Sequence, residues 1–332
     1  MKTWQKMIII AVIVTVLIVS GTLVYVQYFT RRRLLVSTTT SLWETGLLND
    51  VETAFEAKYP IDLQFTPAGT GIALEQAKSG DVDAVLVHSP SQELPVLQQG
   101  YVVSRKIIAY NFFTIVGPQN DPANITGSNS TEALKRIAEY GRTQKVRIWV
   151  SRGDNSGTHT KEQSLWKSAG FDYNIVSNET DWYVIPGGTM GETLLKANEF
   201  SAYTLSDIGT YLKYYEKDGR INLKRFIDER YELLNVYSVM AVNQTRHEQA
   251  NINDTIAFIK FLISDEGQQL IENFGKTDYG ASGRLFHAAA QLVAQNSTQQ
   301  ISQWIRNYAM KPFGDTECPP EYRDPRYPEL YS

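Results

Sequence analysis

The first part of the chain alternates short apolar runs rich in β-branched residues with longer stretches of helical periodicity. The runs predict strands at residues 34–37, 61–65 and 84–88, and the stretches that follow them predict helices at residues 47–58, 72–79 and 93–99. Strands that alternate with helices through short connections pair in parallel and are covered by helices on both faces. This part of the chain is therefore predicted to be an α/β lobe.

Two longer β-rich runs, at residues 107–116 and 235–242, flank a second α/β block. The pattern within the block predicts helices at residues 131–140, 158–169 and 189–199 and strands at residues 146–150 and 202–205. Helices at residues 254–264 and 266–273 are predicted after it. A chain that leaves one lobe, builds another and returns crosses between them twice, so a hinge and a ligand-closing cleft are expected.

The chain divides into five predicted parts. They are residues 1–33 (membrane anchor and basic juxtamembrane segment), 34–117 (first part of lobe I), 118–234 (lobe II), 235–290 (return to lobe I) and 291–332 (C-terminal extension). The extension is rich in glutamine and then in proline and tyrosine, with one predicted helix at residues 301–310. Its end is expected to be an extended tail that is packed on the surface or mobile.

The N-terminus predicts a membrane anchor. Residues 7–26 are almost entirely apolar and uncharged, which is long enough for a helix to span a bilayer. No small-residue cleavage site or lipid-attachment cysteine follows, which favours an uncleaved single-pass anchor over a removed signal peptide. Arginines at residues 31–33 nearly balance Lys2, Lys6 and the amino terminus, so charge does not set the orientation. Glycosylation sequons favour an extracellular binding domain, and they begin at Asn124, Asn129, Asn178, Asn243, Asn253 and Asn296.

Composition argues against several classes of function. The 332 residues carry a net charge of −4 with no basic face for nucleic acid. Cys318 is the only cysteine, so no intramolecular disulfide can form. The four histidines show no metal-ligand spacing, so neither a metal nor a cofactor is predicted.

The central candidate for chemistry is the loop of residues 151–159, which follows a predicted strand and opens a predicted helix. Gly153 and Gly157 allow close approach of the backbone to a ligand, and the first helical turn offers unpaired N–H donors at the positive end of the dipole. Arg152 adds a planar, permanently charged fork suited to two anion oxygens. The loop therefore predicts an anion cradle, although Ser, Asp and Asn before a helix are also ordinary caps.

Two further junctions repeat this strand, loop and helix arrangement. Thr39, Thr40 and Ser41 follow the first predicted strand, and Gly69, Thr70 and Gly71 follow the second. The helix start at Met190 and Gly191, after two glycines, offers N–H groups as a fourth contact. Loops so rich in hydroxyl and amide donors predict a small polyoxyanion held mainly by hydrogen bonds.

In this order, these residues resemble the substrate-binding component of tungstate ABC transporters, a branch of the type II periplasmic binding proteins. The resemblance covers residues 34–286 and rests on co-linear motifs at residues 38–41, 46–48, 69–71, 80–90, 110–111, 116–118, 151–159, 190–194 and 202–207. It implies two α/β lobes joined by two hinge strands and a tetrahedral oxyanion closed between them. It also implies delivery to a membrane permease driven by a separate ATPase, without enzymatic activity.

The resemblance implies ligand donors from both lobes. The first lobe supplies Thr39, Thr40, Ser41 and Thr70 with its glycines, and the second supplies Arg152 as charged clamp with Ser156, Gly157 and Thr158. The family usually has a small or polar pair where Leu42 and Trp43 stand, an acidic residue at Phe112 and an arginine at Ile208. These departures concern the rim and the hinge more than the centre of the site.

Tungstate and molybdate are doubly charged and unprotonated at neutral pH, so their site needs donors only. A phosphate site often keeps a carboxylate for the remaining proton of the ligand. Asp154 is predicted instead to pair with a nearby arginine or to cap the next helix. Two other anions remain alternatives. Phosphate is favoured if Asp154 faces the ligand, and sulfate is aprotic like tungstate. Another alternative is an exterior hydrolase that uses Ser156 or His159. The loop lacks the Gly-x-Ser-x-Gly spacing of serine hydrolases, which argues against it.

Overall fold

The computed structural model describes residues 4–5, 10, 12–20, 31–227, 229–277, 279, 284–294 and 299–331. Residues 12–20 are helical, but residues 7–9, 11 and 21–26 of the predicted membrane span lie outside the described part, as does Asn296. Within the described ranges, no helix combines the length and the apolar character that crossing a membrane requires.

Three parallel strands form the centre of the first lobe. Strand β1 (Arg32–Thr39) lies between β2 (Ile61–Ala68) and β3 (Ala84–Val87) and pairs in parallel with both. The covering helices are α1 (Thr40–Thr45), α2 (Leu47–Lys58), α3 (Thr70–Ser79) and α4 (Pro90–Gln98). The predicted parallel arrangement is confirmed for these strands, and it brings their carboxyl ends to one edge of the sheet.

Two long antiparallel strands connect the lobes. Strand β4 (Val102–Pro118) pairs over its first part with β9 (Leu234–Val242), which pairs in turn with β3. The last residues of β4 pair with β7 (Thr204–Asp207) and β8 (Leu223–Ile227) of the second lobe. Both long β-rich runs predicted from the sequence lie within β4 and β9. The sheet is mixed, because these strands run against the parallel set.

The second lobe surrounds a cluster of buried aromatic side chains, among them Trp149, Trp166 and Trp182. Its other elements are α5 (Ser130–Gln144), β5 (Trp149–Val150), α6 (Gly157–Ser168), α7 (Tyr173–Val176), β6 (Tyr183–Val184), α8 (Met190–Phe200) and α9 (Ile208–Leu212). The strand predicted at residues 146–150 shrinks to β5, and β6 and β8 were not predicted. Such short strands depend on the partner they pair with more than on their own pattern.

After β9 the chain returns to the first lobe. It forms α10 (Ile252–Ile263), α11 (Asp265–Asn273), β10 (His287–Ala288), α12 (Ala290–Ala294) and α13 (Gln300–Ile305), followed by the π-helical turn Arg306–Met310 and short 3-10 turns. The helix predicted at residues 301–310 corresponds to α13 and the π-helical turn that continues it. The extended tail expected after it, packed on the surface or mobile, is wrong for residues 312–331, because Phe313, Cys318 and Leu330 are buried in the cores of the first lobe. Their irregular spacing carries no periodic signal.

Candidate anion-binding site

The segments that follow strands β2, β3 and β5 meet between the lobes. A Cβ added to Gly71 in the first lobe would lie 2.8 Å from Nδ2 of Asn155 in the second. A Cβ on Gly157 would likewise lie 2.6 Å from Cε1 of His88, the residue after β3. Glycine at these positions lets the loop before α6 rest directly on the first lobe. The structure thus brings the predicted loop at residues 69–71 and the predicted cradle together.

Two buried hydroxyls at this junction find no hydrogen-bond partner among the residues that the structure describes. Thr70 begins α3 and Thr158 is the second residue of α6, and their side chains are 0% and 1% exposed. In the described part of the chain, neither Oγ1 has a partner. An unpaired buried hydroxyl is costly, so each position is suited to donate to a ligand. Their helix starts add backbone N–H groups and positive dipole ends, which also favour an anion.

Arg152 belongs to the cradle loop, is 2% exposed and pairs with Asp154. Its Nε donates to Oδ2 of Asp154 at 3.1 Å, and its Nη2 donates to the same oxygen. The amide of Ser156 donates to Oδ1 of Asp154 at 3.1 Å. Burial raises the pKa of the Asp154 carboxyl, but the charge of Arg152 and these hydrogen bonds outweigh burial and lower it. The prediction that Asp154 pairs with an arginine is confirmed.

Other predicted donors cap helices. Oγ1 of Thr39 accepts from the amide of Leu42 at 3.3 Å, and Oγ of Ser156 accepts from the amide of His159 at 3.2 Å. A hydroxyl that accepts in this way keeps its own proton to donate. Oγ of Ser41 donates to Oγ1 of Thr39 at 3.4 Å, which is a long and weak hydrogen bond. Thr40 is half-buried at the start of α1.

The predicted contact at Met190 and Gly191 has a neighbour that sequence reasoning missed. Met190 is fully buried, and the amide of Gly191 donates to Oε2 of Glu44 at 3.3 Å. Glu44 belongs to α1 of the first lobe. Its carboxylate therefore accepts a hydrogen bond from a backbone amide at the start of α8, in the second lobe. The backbone carbonyl of Glu44 also accepts from Nζ of Lys213. This corner of the cleft is an interlobe contact whose donor is already engaged.

Buried ionisable groups surround the site, and the pattern of the sequence did not reveal them. Burial raises the pKa of Asp207 to about 6, although hydrogen bonds from Thr210 act in the opposite direction and lower it. Burial lowers the pKa of His88 to about 4, and its Nδ1 lies 2.8 Å from Oδ1 of Asn235 on β9. His88 is therefore neutral at physiological pH. Among the residues that the structure describes, no three His, Cys, Asp or Glu side chains group as metal ligands.

His159 is committed to other partners than Ser156. Its Nδ1 accepts from the amide of Asn155 at 2.8 Å, and its Nε2 lies 2.7 Å from the hydroxyl of Tyr173. The hydrogen bond between Ser156 and His159 joins the hydroxyl of Ser156 to the backbone amide of His159 and not to its ring. A serine nucleophile needs a base within hydrogen-bond reach of its hydroxyl, and this arrangement does not provide one through His159.

Comparisons with known proteins agree with this geometry. Residues 27–266 match the family described as the PBP superfamily domain. The tungstate-binding protein TupA of Peptoclostridium acidaminophilum is 37% identical over 251 residues, which are 75% of this chain and 83% of that protein.

Two solved structures cover most of the chain. The tungstate-binding protein TupA from Desulfovibrio alaskensis is 36% identical, with a TM-score of 0.64 over 78% of this chain and 99% of that one. The tungstate ABC transporter protein from Geobacter sulfurreducens is 39% identical, with a TM-score of 0.64 over 73% of this chain and 98% of that one. The chain therefore belongs to the PBP superfamily, with the type II periplasmic binding protein fold, and to the family that includes the TupA proteins.

Proposed function

We propose that this chain is an extracytoplasmic solute-binding protein that captures tungstate, and molybdate as a second ligand, in the cleft between its lobes. It delivers the anion to the permease of an ABC transporter that a separate ATPase drives. The observation that carries this proposal is a pair of buried hydroxyls, on Thr70 and Thr158, for which the described residues offer no hydrogen-bond partner. They stand at helix starts from opposite lobes, and Arg152 belongs to the loop that leads to Thr158. The chain itself is a binding component and performs no chemical step.

The donor set favours an anion that carries no proton. Asp154 already accepts from Arg152 and from the amide of Ser156, which leaves it poorly placed to accept a proton from phosphate. Thr39 and Ser156 have hydroxyl protons to donate, while Thr70 and Thr158 contribute hydroxyls that no described residue pairs with. Tungstate and molybdate fit such a site. Sulfate shares their charge, so its exclusion depends on the size of the cavity.

We infer that the N-terminal segment anchors the protein and that the lobes lie on the extracellular side. Residues 12–20 are helical, and the apolar side chains of Val12, Ile13 and Leu17 are 57%, 52% and 64% exposed. Exposed apolar side chains on a helix suit a lipid environment. Recovery of the full-length chain in the soluble fraction after cell lysis would refute the anchor.

The sequons differ in how accessible their asparagines are. Asn243 is half-buried and donates through Nδ2 to the carbonyl of Gly100 at 2.8 Å, so glycosylation there would break a hydrogen bond. We propose as glycosylation sites the exposed asparagines Asn124, Asn129 and Asn253. Asn178 is also exposed, but its Nδ2 donates to the carbonyl of Asn174 at 2.6 Å, so the same argument applies to it as to Asn243. The intact mass of the protein from its native source tests this, and an unmodified mass would contradict it.

The proposal is tested by isothermal titration of the full-length chain in detergent with tungstate, molybdate, sulfate and phosphate in turn. Tight one-to-one binding of tungstate, with much weaker binding of sulfate and phosphate, is expected. Binding of phosphate without tungstate would keep the fold and overturn the ligand. Absence of binding to all four anions would refute the proposed function.

Arg152→Ala provides a second test of the same site. The substitution removes the cation and leaves Asp154 as an unpaired negative charge beside the ligand, so tungstate affinity should fall by about a hundredfold or more. The matched control is Arg142→Ala, which removes another arginine of the second lobe that pairs with a carboxylate, Glu179, on the surface. Affinity within a few-fold of wild type for Arg152→Ala would contradict the role of Arg152.

A further inference from the structure

The C-terminal segment, residues 299–331, lies beyond residue 266, where the match to the PBP superfamily ends. It consists of α13, the π-helical turn Arg306–Met310 and three 3-10 turns. The segment contacts both lobes close to β4 and β9, the two strands that connect them. Its position therefore allows it to influence how the lobes are arranged.

The segment is attached firmly to the first lobe. Arg105, fully buried on β4, donates through Nη1 to the carbonyls of Ala309 at 3.1 Å and Glu317 at 2.9 Å. The guanidinium also lies over the ring of Phe313, 4.0 Å from its centroid. Lys106 pairs with the carboxylate of Glu317 in a largely buried contact. These bonds make the segment part of the first lobe.

Arg105 is itself held by a buried network in the first lobe. Its Nε donates to Oε2 of Glu93 at 2.8 Å, and both side chains are 0% exposed. Ser238 of β9 donates to the same carboxylate oxygen at 2.7 Å, and the amide of Ser89 donates to Oε1 at 2.8 Å. A buried ion pair with this many hydrogen bonds fixes the position of its partners. The segment consequently has a rigid base beside β9.

On its other side the segment contacts the second lobe. Nζ of Lys161 lies 4.2 Å from the ring centroid of Tyr308 and 5.7 Å from that of Phe113. The same nitrogen donates to the carbonyl of Glu232 at 3.1 Å. Lys161 is 7% exposed, and burial lowers its pKa to about 7. A buried ammonium depends on such partners, and the face of an aromatic ring is one of them.

Lys161 belongs to α6, the helix that begins at the candidate site. It stands three residues after Thr158, so the two side chains lie on the same face of the helix, one turn apart. Any contact that fixes Lys161 relative to the first lobe also fixes Thr158 relative to Thr70. The ring of Tyr308 makes such a contact from a segment bound to the first lobe.

We propose that Tyr308 of the C-terminal segment is a positioning residue for the anion site. Its ring holds Lys161 and thereby fixes the position of α6. The proposal rests on the proposed function for its ligand. Loss of the contact favours arrangements in which the lobes are further apart, and only the fraction with assembled donors binds the anion. A cation–π contact of this kind corresponds to a roughly 2- to 30-fold change in an equilibrium.

The first arm of the test measures the lobes without ligand. Electron paramagnetic resonance measures the distance between two spin labels, one on each lobe. The labels are attached at Asp50→Cys on α2 and Glu139→Cys on α5, both of which are exposed positions. Tyr308→Leu should lengthen and broaden the distance distribution, while Tyr308→Phe, which keeps the ring, should leave it unchanged. An unchanged distribution for Tyr308→Leu would overturn the proposal whatever the protein binds.

The second arm measures tungstate affinity in a double-mutant cycle. Tyr308→Leu should weaken binding roughly 2- to 30-fold and Tyr308→Phe by less than twofold. Because the two residues act through one contact, adding Tyr308→Leu to Lys161→Met should cause little further loss. Additive losses would show that Tyr308 does not act through Lys161 and would overturn the proposal. Failure of wild type to bind tungstate would refute the proposed function alone, since the distance measurement needs no ligand.

Discussion

Thr158→Val should stabilise the protein without ligand and weaken its binding of tungstate. Oγ1 of Thr158 is buried and, among the described residues, has no hydrogen-bond partner. A buried hydroxyl without a partner costs roughly 1–3 kcal/mol, and valine has nearly the same shape without the polar atom. At about 2 °C per kcal/mol for a chain of this size, the unfolding midpoint should rise by roughly 2–6 °C.

The effect on binding has the opposite sign. A hydrogen bond from a hydroxyl to a charged oxyanion contributes about 1.5–3 kcal/mol, and every 1.4 kcal/mol is about tenfold in affinity. The Kd for tungstate should therefore rise roughly 10- to 100-fold in Thr158→Val. Thr70→Val should behave in the same way, because the Thr70 hydroxyl is equally buried and likewise has no partner in the described part of the chain.

Two assays on the same protein check this pair of effects: thermal unfolding by circular dichroism without ligand, and isothermal titration with tungstate. Thr193→Val is the matched control, because the Thr193 side chain is also 0% exposed but its hydroxyl donates to the carbonyl of Thr189 at 2.9 Å. The control should lose about 1 kcal/mol of stability and keep its affinity. If Thr158→Val instead lowered the midpoint and left the Kd within twofold of wild type, the hydroxyl could not be a ligand donor.

Three further substitutions change charge around the site. Asp154→Asn removes the anion that shares Arg152 with the ligand, so isothermal titration should show several-fold tighter tungstate binding. Glu44→Gln keeps an acceptor for the amide of Gly191 but removes a negative charge from the cleft, so the association rate in stopped-flow fluorescence should increase, most strongly at low salt. Asp207→Asn should be more stable than wild type at pH 7 in thermal unfolding, with the difference disappearing below about pH 4.

The sign for Asp207 follows from its raised pKa. The folded state holds its carboxyl proton up to about pH 6, whereas the unfolded chain releases it near the ordinary aspartate pKa of 3.8. Stability from this group is therefore fully present below about pH 4 and is lost as the pH rises through 6. A pH-independent difference between Asp207→Asn and wild type would contradict this account. Weaker tungstate binding in Asp154→Asn, or a slower association rate in Glu44→Gln, would contradict the other two.

Local features of the chain were predictable because they depend on neighbours in sequence. The apolar periodicity gave helices such as Leu47–Lys58 with the bounds that the structure shows. Loops rich in hydroxyls and glycines could be recognised as donors because caps and helix starts are local geometry. The pairing of Asp154 with an arginine was also predictable, since the two residues stand two positions apart.

Other features depended on residues that are distant in the sequence. The sequence does not show that the hydroxyls of Thr70 and Thr158 are buried without a partner from the described residues, because the burial of each hydroxyl depends on the opposite lobe. Glu44 reaches Gly191 across 147 positions, and Arg105 reaches Glu317 across 212.

The amino-acid sequence by itself therefore determined the type of each long element and the chemistry of each loop, because propensity, capping and donor content act over a few residues. Tertiary structure alone decided which polar groups are buried, which of them stay unpaired and which charges face each other. It also placed the C-terminal segment against β4 and α6. Desolvation and hydrogen-bond pairing are properties of the packed chain, so these outcomes are set only when the lobes come together.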